Sequence, residues 1–261
     1  MTLGTLSRPT AGGVPEALDA AGGLVAELAR TLPPGLAARM LDPADADAMR
    51  ALRRRVIETL DDPDHYRVAG EVGDFVLDHL NTKGVTVGLF LGSELVAYGA
   101  LGLPGPGDHN RGRDLPLPEA ELPLVAHLSS AMVDPALRGR GLHHRMIDWR
   151  IAVADRIGRR HSLTTVSPRN HRSWGHLAVH GVYPKRLIDV GAKGGGSLLR
   201  LLVHRDALAQ PVFDPATASL VPVEEIVGRG DLFARGEQVW CRLDQGGRWF
   251  ALFGRARAAA V

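Results

Sequence analysis

Between Asp42 and Leu60 the apolar positions Met49, Leu52, Val56 and Leu60 fall three or four residues apart, which lays one apolar stripe along a helix opened by Asp42-Pro43. Leu142, Met146, Trp149, Val153 and Ile157 repeat that spacing. A helical pattern also covers Val68 to Leu80, and Asn170 to His180 reads as a helix closed by Gly181. Shorter apolar runs predict strands at Leu36–Leu41, Val85–Gly92, Glu94–Leu103, Glu121–Val133 and His161–Ser167, with Gly92-Ser93 marking a hairpin. Two more, Val182–Gly191 and Ser197–Arg205, flank the sequence GAKGGG, and QVWCRLD and RWFALFG around Gln245-Gly246-Gly247 read as a last hairpin. Residues 1–22 read as a loose tail before a short helix at Leu24–Leu32, and residues 104–121 as a long loop. Strands interleaved with helices give an α/β or α+β class with a mixed sheet. The expected organisation is a tail and short helix over 1–34, a main domain over 35–205 and a C-terminal extension over 206–261.

Composition narrows the function classes. Hydrophobic residues make up 45% of the 261, enough for a sizeable core, and a net charge of +2 argues against a nucleic-acid partner. Lysine occurs only at Lys83, Lys185 and Lys193, so the positive charge is nearly all arginine. A single cysteine, Cys241, allows no internal disulfide and fits a reducing compartment. No apolar run reaches the length of a membrane span, and the first residues lack the basic-then-apolar pattern of an export signal. The expectation is a cytoplasmic protein with neither a membrane nor a nucleic-acid partner.

The chemistry concentrates in VDPALRGRGLHHRM, Val133 to Met146. A strand ends, a turn with two glycines follows, and a helix begins near Leu142. Helix N-termini carry unpaired N–H groups and partial positive charge, glycines let a phosphate approach the backbone, and Arg138, Arg140 and Arg145 add formal charge. That combination suits a pyrophosphate. It is neither a P-loop nor a dinucleotide fingerprint, since the Lys-Ser/Thr pair and the third glycine are absent. A tight turn with solvated arginines is the competing reading.

A second stretch, VSPRNHRSWGHLAVHGVY (Val166 to Tyr183), follows the next strand. Together the two resemble the GCN5-related N-acetyltransferase (GNAT) superfamily over residues 35 to 205. Val133, Pro135, Arg138, Gly139 and Gly141 match its first motif, and Asn170, Ser173 and Gly181 its second. The resemblance implies a mixed, centrally splayed sheet flanked by helices, and a coenzyme A thioester as co-substrate. The backbone from Arg138 through Gly139, Arg140, Gly141 and Leu142 to His143 would hold the pyrophosphate. Ala131, Met132 and Val133 would pair with the pantetheine arm, Asn170 would face that arm or a water, and Ser173 would join the cofactor site.

The chain departs from the family pattern in three places. His143 stands at the third glycine position, and His143 or His144 could contact a phosphate or simply be solvated. Leu177 replaces the tyrosine that protonates the leaving thiolate, which leaves His176 and Tyr183 as substitutes; Tyr183 could equally be a core aromatic. A thiol with a pKa of about 8.5 leaves with little help. The strand before the loop lacks a central glutamate. An alkyl amine is neutral in only about one molecule in a few thousand at pH 7, so its proton needs an acceptor. Alternation puts His127, Ser129 and Ala131 on one face and Leu128, Ser130 and Met132 on the other, which makes His127 the candidate base or else a core histidine.

The expected activity is acetyl transfer from acetyl-CoA to an amine of a small molecule or peptide by direct attack. The oxyanion would be held by a backbone N–H near Met132. His127, Ser129, Asn170 and Tyr183 are the catalytic candidates, and no metal is expected. The alternatives are a longer-chain acyl-CoA N-acyltransferase of specialised metabolism and a non-catalytic CoA-binding module. Asp61, Asp62, Asp64, Asp108 and Asp114 could receive a cationic acceptor or be ordinary loop charge. The C-terminal piece could mediate a homodimer, cap the acceptor site or extend the sheet.

Overall fold

The first helix, α1 (Val14–Thr31), starts well before the predicted Leu24. Pro15 suits its first turn, and the Glu16 side chain accepts the Gly13 N–H at 2.8 Å. Ala17, Ala21, Leu24 and Leu28 form its buried stripe, so alanines carry half of the apolar face and the large-residue pattern hid the first turns. The computed structural model describes residues 11–66, 74–192 and 195–257.

The strands follow in chain order. β1 (Leu36–Met40) precedes α2 (Ala46–Glu58), where Met49, Leu52 and Val56 are buried as the spacing predicts; Leu60 lies beyond the helix. The helical pattern at Val68–Leu80 falls partly outside the described residues. Within them, α3 (Phe75–Leu77) is one turn that runs into a wider π-wound turn over Asp78–Thr82. β2 (Gly84–Leu91) and β3 (Glu94–Gly102) form the expected hairpin. The stretch 104–121 is built from short 3₁₀ turns, pinned where the Asn110 amide donates to the Leu122 carbonyl at 2.8 Å.

β4 covers Val125–Val133 only: Glu119–Leu124 is helical, and Pro123 has no N–H to give a ladder. α4 (Leu142–Arg156), β5 (His161–Val166), α5 (His171–Val179), β6 (Tyr183–Asp189) and β7 (Leu199–Asp206) complete the main unit. Its sheet has seven strands in the order β1-β2-β3-β4-β5-β7-β6, mixed because β4 and β5 alone are parallel. One face packs under α1 and α4, through Val87, Leu128, Met146 and Val153 among others. The other packs under α2 and α3, through Met49, Leu52, Val76 and Tyr98.

The last residues form β8 (Ser219–Pro222), α6 (Gly230–Ala234), β9 (Gln238–Gln245) and β10 (Arg248–Gly254). The predicted hairpin is β9–β10, and with β8 it makes a separate three-stranded sheet rather than an extension of the first. That sheet lies against α5 and β6: Arg242 crosses Gly175 of α5 so closely that a β-carbon there would meet its Cδ at 2.6 Å. Among the described residues no helix is long and apolar enough to cross a membrane.

Candidate active site

Gly139 and Gly141 both adopt left-handed backbone, with φ of 77° and 72°. An L-residue pays about 1–2 kcal/mol there, which explains two glycines in so short a turn. Gly141 is the N-cap of α4, so the N–H groups of Leu142, His143 and His144 have no intrahelical acceptor. All three residues line a cleft of ≈ 1500 Å³, together with Arg138, Gly139, Gly141, Asn170 and Ser173. Arg140 is not part of that lining. Arg145 is turned away as well: its guanidinium donates to the Thr31 and Arg140 carbonyls, at 2.7 and 3.2 Å, and ties the loop to the end of α1. Of the three arginines in the opening motif, Arg138 alone lines the cleft.

The cleft continues into the sheet. β4 and β5 pair only through Val125–His127 and His161–Leu163. Beyond them β4 stays with β3 to Val133 and β5 with β7 to Val166, so a gap opens between the two central strands. The Asp134 N–H donates to the Val96 carbonyl at 2.8 Å, which fixes the ladder's alternation. Met132 bonds into β3, and the N–H groups of Ala131 and Val133 are the ones that face the gap. A backbone donor near Met132, as expected, would come from one of these two neighbours rather than from Met132 itself.

A β-bulge corrects the expected alternation of faces. Leu101 faces Leu128 while Gly99 faces Ala131, so β4 carries one extra residue at Ser129–Ser130. Strict alternation fails there. Leu128 and Ala131 pack toward α4, whereas Met132 joins Tyr98 on the α2 side. The Ser130 hydroxyl bonds the Tyr98 hydroxyl at 3.1 Å and Ser129 reaches His79 at 2.9 Å, so both serines point to that same side.

The remaining catalytic candidates divide. His127 lines the cleft, but its Nε2 accepts the Arg111 N–H at 3.2 Å; burial, helped by Arg111, lowers its pKa to about 3. Its lone pair is occupied and weakly basic. Tyr183 does not line the cleft; its ring packs on Trp240, with centroids 4.9 Å apart. The competing reading of Tyr183 as a packed aromatic therefore describes it. Asn170 lines the cleft and caps α5, its Oδ1 accepting the Ser173 N–H at 3.1 Å.

No protein-family model matches the sequence, and no curated protein does. Solved structures match the fold. The Salmonella typhimurium protein yncA, assigned as an acetyltransferase and solved with its cofactor acetyl-CoA, is 15% identical with a TM-score of 0.50; the match covers 69% of this chain and 98% of that one. An N-acetyltransferase from Staphylococcus aureus Mu50 is 16% identical with a TM-score of 0.50, covering 66% and 98%. With a splayed parallel pair ending in a glycine loop, one conclusion follows. The chain has the GNAT fold.

Within this GNAT fold four of the five candidate acidic residues for a cationic acceptor are paired with a basic side chain. Asp62 pairs with Arg169, Asp64 with Arg200, Asp108 with Lys83 and Asp114 with Arg111. His143 is not a solvated helix-start residue: its Nδ1 lies 3.0 Å from that of His176, and burial keeps both rings neutral, His176 with a pKa lowered to about 4. Among the described residues no group of three or more His, Cys, Asp or Glu is arranged to hold a metal.

Two cleft residues escaped the sequence reading. Arg150 of α4 is 1% exposed; it donates to the Met146 and Ser129 carbonyls, and no carboxylate among the described residues pairs with it. Burial lowers its pKa only to about 10, so it stays charged. Ser129 sits where β4 leaves β5, and Arg150 supplies a donor to its carbonyl at the start of the gap. His79, in the π-wound turn, lines the opposite wall. Nothing in the spacing around His79 signals its contact with Ser129, fifty residues away.

Proposed function

We propose that the protein is an acyl-CoA-dependent N-acyltransferase that uses acetyl-CoA to acylate an amine by direct attack. The observation that carries this reading is the continuity of one cleft from the left-handed glycines at the start of α4 into the β4–β5 gap. Pyrophosphate would meet the N–H groups of Leu142, His143 and His144, with Arg138 adding charge. The pantetheine arm would run along β4 and hydrogen-bond Ala131 and Val133 as an added strand would. An N–H of that pair would meet the thioester carbonyl as it becomes an oxyanion, an interaction worth about 10²–10³ in rate for donors of this type.

The bound thioester supplies the acyl group and its leaving thiolate, and the chain's own residues position the amine and take its proton. The cleft exceeds the roughly 300–1,000 Å³ of ordinary small-molecule pockets, which leaves room for donor arm and acceptor together. Residues 35–205 form the acyltransferase unit in this reading, flanked by 1–34 and 206–261, and the cytoplasm is its compartment.

The test is thiol release from acetyl-CoA and from a medium-chain acyl-CoA across a panel of primary amines. Amine-dependent CoA release with acetyl-CoA is the expected result. Faster release from the longer donor would move the reading to a longer-chain acyltransferase. Tight CoA binding with no release for any amine would leave a binding module.

A further inference from the structure

We propose that Ser129 and His79 form a proton relay that takes the amine's proton, with Ser129 touching the acceptor and His79 behind it. This rests on the acyltransferase reading and names the base that reading requires. His79 Nε2 lies 2.9 Å from the Ser129 hydroxyl, and its Nδ1 lies 2.9 Å from the Phe75 carbonyl. A carbonyl can only accept, so Nδ1 carries the hydrogen and Nε2 presents its lone pair to the Ser129 O–H. The tautomer is set by the fold.

Four further features hold this pair. The π-wound turn over Asp78–Thr82 places His79 next to the sheet. The Thr86 hydroxyl donates to the His79 carbonyl at 2.9 Å. The imidazole packs on the Phe75 ring, centroids 4.3 Å apart. The β4 bulge turns Ser129 toward it. On β3, Gly102 leaves the space the pair occupies: a β-carbon there would stand 2.9 Å from the Ser129 hydroxyl and 3.1 Å from His79 Nε2. Ser129 and His79 both line the cleft, at the mouth of the β4–β5 gap.

The charged groups facing His79 are Asp78 on its own turn, Arg53 from α2 and Lys83, and the neutral imidazole of His127 lies nearby. Burial lowers its pKa most; the Phe75 carbonyl and Asp78 oppose this, and Arg53 and Lys83 add to it. The ring is therefore neutral and able to accept a proton at pH 7. The same desolvation and the same cations lower the pKa of a bound ammonium, which narrows the gap between donor and base.

The ammonium gives one proton to the Ser129 oxygen while the Ser129 proton moves to His79 Nε2. The neutral nitrogen then bonds to the thioester carbon, and the C–S bond breaks. The second nitrogen proton goes to the departing thiolate, giving CoA thiol and amide. The imidazolium keeps both of its hydrogen bonds and returns its proton through Ser129 to water.

The test uses two probe acceptors with acetyl-CoA: benzylamine, which arrives protonated at pH 7, and hydroxylamine, which arrives neutral. His79→Gln and Ser129→Ala are each expected to lose about 100-fold in kcat/KM with benzylamine. Hydroxylamine should change by less than about threefold, and acetyl-CoA affinity should hold, which reports a folded cleft. In His79→Gln the benzylamine rate should climb about tenfold per pH unit toward the amine's own pKa, where the wild type has levelled off. Gly102→Ala, which keeps both side chains but pushes them apart, should show the same selective loss. An equal loss with both acceptors, or no loss, would overturn the relay. A wild type that binds acetyl-CoA and acylates neither amine would overturn the transferase reading itself.

Discussion

His127 carries the clearest single-residue consequence. Folded, it is neutral with a pKa lowered to about 3; unfolded, it titrates near the ordinary 6.5. His176 and His204 behave alike, lowered to about 4 and about 3, in each case mainly by burial. Below 6.5 the unfolded chain binds protons that the folded chain refuses. Stability is therefore full above that pH and falls as the pH drops toward the folded values, by up to about 1.4 kcal/mol per pH unit for His127 and for His204 and by less for the half-buried His176, where solvent screens the charge. Urea unfolding at pH 7, 6 and 5 should show this decline, and His127→Gln should reduce its slope. A flat profile between 7 and 5 would contradict the buried neutral state. The left-handed glycine Gly139 makes a second case. A β-carbon there would meet nothing within 4 Å, so Gly139→Ala should lose only the backbone cost, about 1–2 kcal/mol. Chemical denaturation would measure it.

At the scale of elements, α5 depends on Trp174, which is fully buried and donates its indole N–H to the Pro168 carbonyl at 3.1 Å. Trp174→Ala should cost about 3–5 kcal/mol by denaturant titration; a loss under about 1 kcal/mol would contradict that anchoring role. Elements whose apolar residues are large and regularly spaced were legible from the sequence: α2, α4 and the β2–β3 hairpin stand close to where the spacing put them. The glycine loop was legible because two glycines before a helix have few structural uses. Three features were hidden for physical reasons. α1 buries alanines, which carry little pattern. The β4 bulge inserts one residue without any residue type announcing it, and so reversed the expected faces of Ser130, Ala131 and Met132. The His79–Ser129 contact joins residues that only the folded sheet brings together.

The two sheets of the whole molecule share one core. Val221, Ile226, Val239 and Phe253 of the C-terminal sheet and its connections belong to the same apolar cluster as Trp174, Val182 and Met146. Calorimetric melting should therefore give one cooperative transition, and two separated transitions would contradict that shared core. The same docking holds the back of α5, whose N-terminal residues Asn170, His171 and Ser173 line the cleft, so the extension supports the site without entering the first sheet. The proposed function requires the cleft from the glycine loop to the β4–β5 gap to receive an acyl-CoA. Its most direct test is isothermal titration of the protein and of Gly141→Val with acetyl-CoA. Gly141 has φ of 72°, and a β-carbon there would stand 2.5 Å from the Arg145 Nη1. Binding by the wild type and its loss in the variant is the predicted result; no binding of acetyl-CoA by the wild type would contradict the account.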